Sequence, residues 1–161
     1  MNKLYLVLLL LLSTRSYALP EDRSEPIEVE AYTVVIDEKA GISTYTGKVS
    51  VKQGSLILSA EKVELFSNEK EVTKVIAIGT KKQRAHYRQS QPNQSRFIEA
   101  KAINITYLIK KEFVNLKGNA HLVQGFDSFS GATLDYDIAN DKVIAQSSED
   151  RTERVRFKIK L

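Results

Sequence analysis

The chain has 161 residues, with 24 Lys and Arg against 20 Asp and Glu, no Cys, and a formal net charge of +4. That length fits one domain with its own core, and the lack of Cys excludes disulfide staples and thiolate metal sites. A charge this mild does not call for a nucleic-acid partner.

The first element is a leader. Asn2-Lys3 gives a positive start, Leu4 to Leu12 an unbroken apolar run, and Ser16-Tyr17-Ala18 small residues where a signal peptidase reads. The apolar core is far below the ~20 residues that span a bilayer. Residues 1–18 are therefore expected to be a cleaved export signal, and no Cys precedes Ala18 to carry a lipid anchor. Cleavage also removes Lys3 and Arg15, which lowers the mature charge by two.

Residues 19–26, polar and bounded by Pro20 and Pro26, read as a mobile lead-in. From Ile27 the pattern has period two, the signature of strands with one dry and one wet face. Ile27, Val29 and Ala31 alternate with Glu28 and Glu30; Tyr45, Gly47, Val49 and Val51 alternate with Thr46, Lys48, Ser50 and Lys52. Leu56 and Leu58 continue that alternation, and Val63 and Leu65 make Ser59 to Asn68 a strand in preference to a helix. Ile103, Ile105, Tyr107 and Ile109 form another row, followed by Val114, Leu116, Gly118, Ala120 and Leu122. The last segment sets Val155, Phe157, Ile159 and Leu161 against Arg154, Arg156, Lys158 and Lys160. Turn residues separate the runs at 37–41, 67–70, 110–112 and 139–142, and Gln89 to Arg96 reads as an exposed loop. Many short strands with regular breaks predict an all-β sandwich, jelly roll or barrel occupying residues 27–161.

Sliding the chain by 71 positions lays residues 27–67 on 98–138 without a gap. Ile27-Glu28 falls on Ile98-Glu99, Ala31 on Ala102, Lys39 on Lys110, Gly47 on Gly118, Gln53-Gly54 on Gln124-Gly125, and Ser59 on Ser130. The apolar faces of both copies coincide, which predicts two related units stacked in one extended sheet structure.

Nothing in the sequence assembles a catalytic or metal centre, and neither a cofactor nor an enzyme activity is expected. Only two His occur, and His121 falls on the polar face. No phosphate-binding glycine loop, Gly-x-Ser-x-Gly elbow or His-x-x-x-His pair is present. Residues 80–96 are locally cationic, and Lys81, Arg84 and Arg88 are candidates for an anionic headgroup at a rim. In an exported protein that anion is more plausibly a phosphorylated glycolipid than a nucleic acid.

The segment Thr44-Tyr45-Thr46-Gly47-Lys48-Val49-Ser50-Val51-Lys52-Gln53-Gly54, followed by Ala60-Glu61-Lys62-Val63, resembles the OstA-like family of periplasmic lipopolysaccharide-transport proteins. Pro26 to Ala31 and Glu112 to Ala120 resemble the same pattern, and the likeness covers nearly all of residues 26–147. The resemblance implies an elongated, slightly open β-jelly roll of many short antiparallel strands with a V-shaped apolar interior that holds acyl chains. It also implies end-to-end oligomers of the chain itself. These would bridge an inner-membrane ABC transporter complex, through an anchored LptC-like subunit, to an LptD-like outer-membrane translocon.

On this reading Ile27, Val29, Tyr45, Val49, Val51, Leu56, Leu58, Tyr107, Leu116, Leu122 and Tyr136 line the lipid groove. Val155, Phe157 and Ile159 form a stacking edge. Alternation alone does not separate a groove from a closed core, so a self-stacking scaffold and a monomeric lipid shuttle remain alternatives.

Overall fold

A computed structural model describes residues 22–69, 71–90, 97–150 and 152–160. The expected leader at 1–18, the start of the lead-in, residues 91–96 of the expected loop and Leu161 lie outside the described residues. The described chain is all-β apart from single 3-10 turns at Asp22–Ser24 and Ile109–Lys111. Its strands are β1 (Glu28–Glu30), β2 (Thr33–Asp37), β3 (Ile42–Gln53), β4 (Leu56–Asn68), β5 (Glu71–Ile78), β6 (Ala85–Ser90), β7 (Phe97–Ala102), β8 (Asn104–Leu108), β9 (Phe113–Gln124), β10 (Asp127–Asp137), β11 (Lys142–Gln146) and β12 (Arg156–Lys158). Two rows are shorter than their sequence pattern. Ile103 links two strands and Ile109 opens a 3-10 turn, while Val155 and Ile159 flank a three-residue β12.

Four long strands, β3, β4, β9 and β10, each belong to two layers. The first half of β3 pairs with β2 and its second half with β1. β4 pairs with β6 through Ile57–Ser59 and with β5 through Lys62–Asn68. β9 pairs with β8 through Phe113–Lys117 and with β7 through His121–Gln124, and β10 divides likewise between β12 and β11. All of these pairings are antiparallel, and the layers close into a jelly-roll-like wedge.

The fold between the layers is written into glycines. On β3 the register jumps from Thr46↔Lys62 to Val49↔Ala60, leaving Gly47 and Lys48 opposite one residue of β4. The same bulge recurs 71 residues later, where Gly118 and Asn119 stand between Thr133↔Lys117 and Gly131↔Ala120. Gly47 and Gly118 take φ of 87° and 85°, a left-handed conformation that side chains resist, and such bulges bend a strand sharply. Tyr32 N–H donates to the Gly47 carbonyl at 3.2 Å, and Ile103 N–H to the Gly118 carbonyl at 2.9 Å. Both short crossings are thus pinned to the bend.

The 71-residue repeat holds in three dimensions. β2 and β8 are the same segment shifted by 71, and they pair with β3 and β9 in the same register: Thr33↔Thr46 becomes Asn104↔Lys117. Glu28↔Lys52 becomes Glu99↔Val123 in the other layer. The two units join through β5 against β8 and β6 against β7.

Candidate functional site

The inner faces of the two layers form one apolar cluster. Of the expected lining residues, Val49, Val51, Leu58, Leu116, Leu122 and Tyr136 are buried in it, and Val29, Tyr45, Leu56 and Tyr107 pack against it half-buried. Ile27, just before β1, is exposed instead.

Burial is graded from the bend outward, and on β5, β6 and β7 side-chain size rises with it, although Val49, Val63, Leu116 and Leu134 beside the bend are fully buried as well. At the bend lie Ala77, Ala85 and Ala102, with no exposed surface. One step along the inward row of each strand come Val75, Tyr87 and Ala100, and next after Ala100 is Ile98, half-buried. β10 runs the same way in both directions, from Gly131 to Phe129 and from Leu134 to Tyr136 to Ile138. Full burial beside the bend and partial exposure farther out describe a wedge closed along the bend, with the partly uncovered side chains at its opposite edge, the mouth. An ordinary sandwich closes its core on both sides.

Polar side chains edge the mouth. Gln53, Gln89 and Gln124 end the inward rows of β3, β6 and β9. The lead-in docks on one rim: the Asp22 carboxylate accepts from Ser55 N–H at 2.8 Å, Ser55 Oγ–H at 2.7 Å and Gln89 Nε2 at 2.7 Å. Burial opposes ionisation of Asp22, but these donors outweigh it and hold its carboxyl below the usual carboxylate range. Tyr87 OH bonds the Gln89 amide oxygen, which continues the chain from the rim along the inward row of β6. At the other unit Gln124 Nε2 donates to Asp141 at 2.6 Å. These polar rims escaped the sequence reading because Gln53-Gly54 and Gln124-Gly125 carry turn chemistry. Their exact recurrence at the repeat spacing was the signal available.

The candidate cations are not at this mouth. Lys81 and Arg84 lie in the Gly79–Arg84 link, which the Gly79 N–H to Ile103 carbonyl bond of 2.7 Å fixes at the vertex. Arg84 Nη1 donates to the Asn119 carbonyl at 2.6 Å. Arg88 lies on the outer face of β6, its guanidinium 4.5 Å from the Phe97 ring centroid. The expectation took residues 80–96 as one surface, whereas Gly79–Arg84 crosses between layers before β6 begins. The two His also belong to the outer face. His86 Nε2 lies 3.0 Å from Glu99 Oε1, which also pairs with Lys101 at 2.5 Å, and His121 Nδ1 lies 2.8 Å from Ser130 Oγ. Lys101, with help from His86, holds the Glu99 carboxyl below its usual range despite partial burial. Among the described residues no group of three or more His, Cys, Asp or Glu could hold a metal ion.

The outer strands leave both ends of the sheets unpaired. Along β2, Val34, Val35 and Ile36 are exposed, as are Ile144 of β11 and Val155, Phe157 and Ile159 around β12, with Phe157 71% exposed. Unpaired strand edges of this kind are templates for a further strand.

Residues 28–142 match the family described as LptA/(LptD N-terminal domain) LPS transport protein. The chain is 31% identical over 134 residues to the lipopolysaccharide export system protein LptH of Pseudomonas aeruginosa, covering 83% of this chain and 75% of the relative. It is 32% identical over 147 residues to the lipopolysaccharide export system protein LptA of Escherichia coli K12, covering 91% and 77%. The crystal structure of LptH, described as the LptA-homologous periplasmic component of the lipopolysaccharide transport device of P. aeruginosa, superposes with a TM-score of 0.75 at 27% identity. That match covers 88% of this chain and all of that one.

Proposed function

Because the chain belongs to the family of LptA and the LptD N-terminal domain, we propose that it binds lipopolysaccharide by its acyl chains in the wedge and passes it across the periplasm in a head-to-tail stack. The stack would run from an inner-membrane ABC transporter complex with an LptC-like anchor to an LptD-like outer-membrane translocon. The observation that carries the lipid reading is the gradient of burial, from fully covered Ala77, Ala102, Leu116 and Leu134 near the vertex to half-buried Tyr45, Tyr87, Tyr107 and Phe129 nearer the mouth. An acyl chain loses about 0.8 kcal/mol per CH₂ exposed to water, so a dry trough with one open side is what transit requires. The chain's own residues bind and shield the lipid, and the energy for directional movement comes from the partners.

The stack is supported by the repeat itself. Within the chain, unit one hands over to unit two through β5–β8 and β6–β7. β11 takes the place of β5, with Thr133↔Gln146 matching Lys62↔Ile78, and β12 takes the place of β6, with Ser128↔Lys158 matching Ile57↔Arg88. Applying the internal join to a second copy therefore sets Lys142 opposite its Asp37, Ile144 opposite its Val35, Arg156 opposite its Glu30 and Lys158 opposite its Glu28. Three pairs of opposite charge meet, and the exposed Val34, Val35, Ile36 and Phe157 gain neighbours.

The lipid reading is tested by replacing Tyr45 and Phe129, on the inward rows, with a photo-crosslinking residue. Their capture of lipopolysaccharide is compared with that at Glu64 and Ser128, on outward rows. Capture at the first pair at least tenfold above the second is the expected result. Equal capture at all four positions contradicts a groove and favours a closed core.

A further inference from the structure

The two units differ at their mouths. In the second unit Asp141 Oδ1 accepts from Gln124 Nε2 at 2.6 Å and from Tyr136 OH at 3.2 Å. Gln124 ends the half of β9 that pairs with β7, whereas Tyr136 and Asp141 belong to the arm formed by β10 and the turn into β11. The contact thus runs from one layer to the other. Packed sheets stand ~10 Å apart, about the reach of a Gln and an Asp side chain joined end to end.

The turn that presents Asp141 is itself built. Asp137 accepts from Asn140 N–H at 3.1 Å and from Asn140 Nδ2 at 2.8 Å, and Asp141 sits at φ 48° with its N–H 3.3 Å from the Ile138 carbonyl. Tyr136 is 3% exposed, and burial together with the Asp141 charge pushes its phenol up to about 12, so it stays a donor. Leu65 stands where Tyr136 stands 71 residues later, and the Gln53 amide donates to the Glu25 carbonyl of the lead-in at 3.0 Å.

We propose that Gln124, Asp141 and Tyr136 form a latch that ties the two layers together across the mouth of the second unit. The latch must open for an acyl-bearing lipid to enter there. The inference rests on the groove reading above and adds a regulated step to it. Two hydrogen bonds to one carboxylate, one of them from a buried phenol, are strong enough to bias a rim and weak enough for an entering lipid to displace. Repeated along a stack, the latch makes each subunit a place where the lipid pauses.

The test uses the full chain, lipopolysaccharide in detergent micelles as the probe, and a photo-crosslinking residue at Phe129 in the second unit or Tyr45 in the first. Asp141→Ala and Gln124→Leu are expected to speed capture at Phe129 about tenfold, the factor carried by a charge-assisted hydrogen bond, and to leave capture at Tyr45 unchanged. Tyr136→Phe, which keeps the ring in place, gives the same direction if Asp141→Ala disturbs the turn. Bridging Gln124→Cys and Asp141→Cys with a short bismaleimide is expected to slow capture at Phe129 at least tenfold and spare Tyr45. Unchanged rates at Phe129 in all these forms, with Tyr45 still capturing, overturn the latch alone. Absence of capture at both positions in the parent overturns the groove reading, and the latch with it.

Discussion

Reversing both acids of β1, with Glu28→Lys and Glu30→Lys together, is expected to weaken self-association about 100-fold while leaving the fold intact. Both side chains are exposed, so the isolated chain loses little: exposed ion pairs contribute roughly 0–1 kcal/mol. At the end-to-end junction the two lysines would face Arg156 and Lys158, and like charges placed opposite each other at an interface cost several kcal/mol. Restoring complementarity with Arg156→Glu and Lys158→Glu in the same chain should recover at least tenfold of the loss. The measurement is sedimentation velocity over a wide concentration range. Association unaffected by the reversal places the contact elsewhere. Association lost but not rescued indicates that the edges pair in another register.

The second large effect is on stability. Gly118→Val is expected to destabilise the chain by about 3 kcal/mol, roughly 10 °C in melting temperature. At φ 85° a β-branched residue is strained, and the added Cβ would stand 3.0 Å from Ile103 Cβ and Cδ1, in the crossing pinned to the same bend. Gly47→Val makes a useful comparison, because it shares the backbone strain at φ 87°. Its new Cβ meets Tyr32 Cδ2 at 2.6 Å and Tyr32 Cβ at 3.0 Å, but Tyr32 is 75% exposed and its ring can swing outward, which leaves only the Cβ contact. The loss at Gly47 should therefore be smaller, and calorimetry of the two variants separates conformational strain from crowding. A Gly118→Val protein within about 1 kcal/mol of the parent would mean that the bend does not depend on the left-handed bulge.

Most strands were legible in the sequence because each arm of the wedge keeps one face dry, and a dry face leaves a period-two trace. The inward rows of β3 and β9 keep one parity through the bend, so Tyr45, Val49 and Val51, or Leu116 and Leu122, read as one continuous face. β4 and β10 do not. Facing a two-residue bulge, they change parity, from Leu58 to Val63 and from Gly131 to Leu134. That change marks a strand shared by two layers, and alternation by itself cannot reveal it. The repeat at 71 was equally legible, since the same bulge, crossing and pairing recur in both units. The polar mouth was not, because Gln53, Gln89 and Gln124 face inward only where the wedge opens. The spread of the cations was hidden for a related reason. A basic run reads as one surface, although Gly79 lets the chain press against Ala85 as it crosses between layers, spreading Lys81, Arg84 and Arg88 over the vertex and the outer face.

The central claim is that one dry trough runs through each chain and on into the next. Phe157 tests it most directly, because it pairs with Phe129 on the inward face of β12, at the edge where a second copy would dock. With a photo-crosslinking residue at Phe157, associated protein loaded with lipopolysaccharide should give two products, one with lipid and one with the β1 segment of a second copy. The Glu28→Lys and Glu30→Lys chain should lose the second product while lipid is still captured at Tyr45. Capture of lipid at Tyr45 without any at Phe157, in protein that is associated, would contradict a continuous trough.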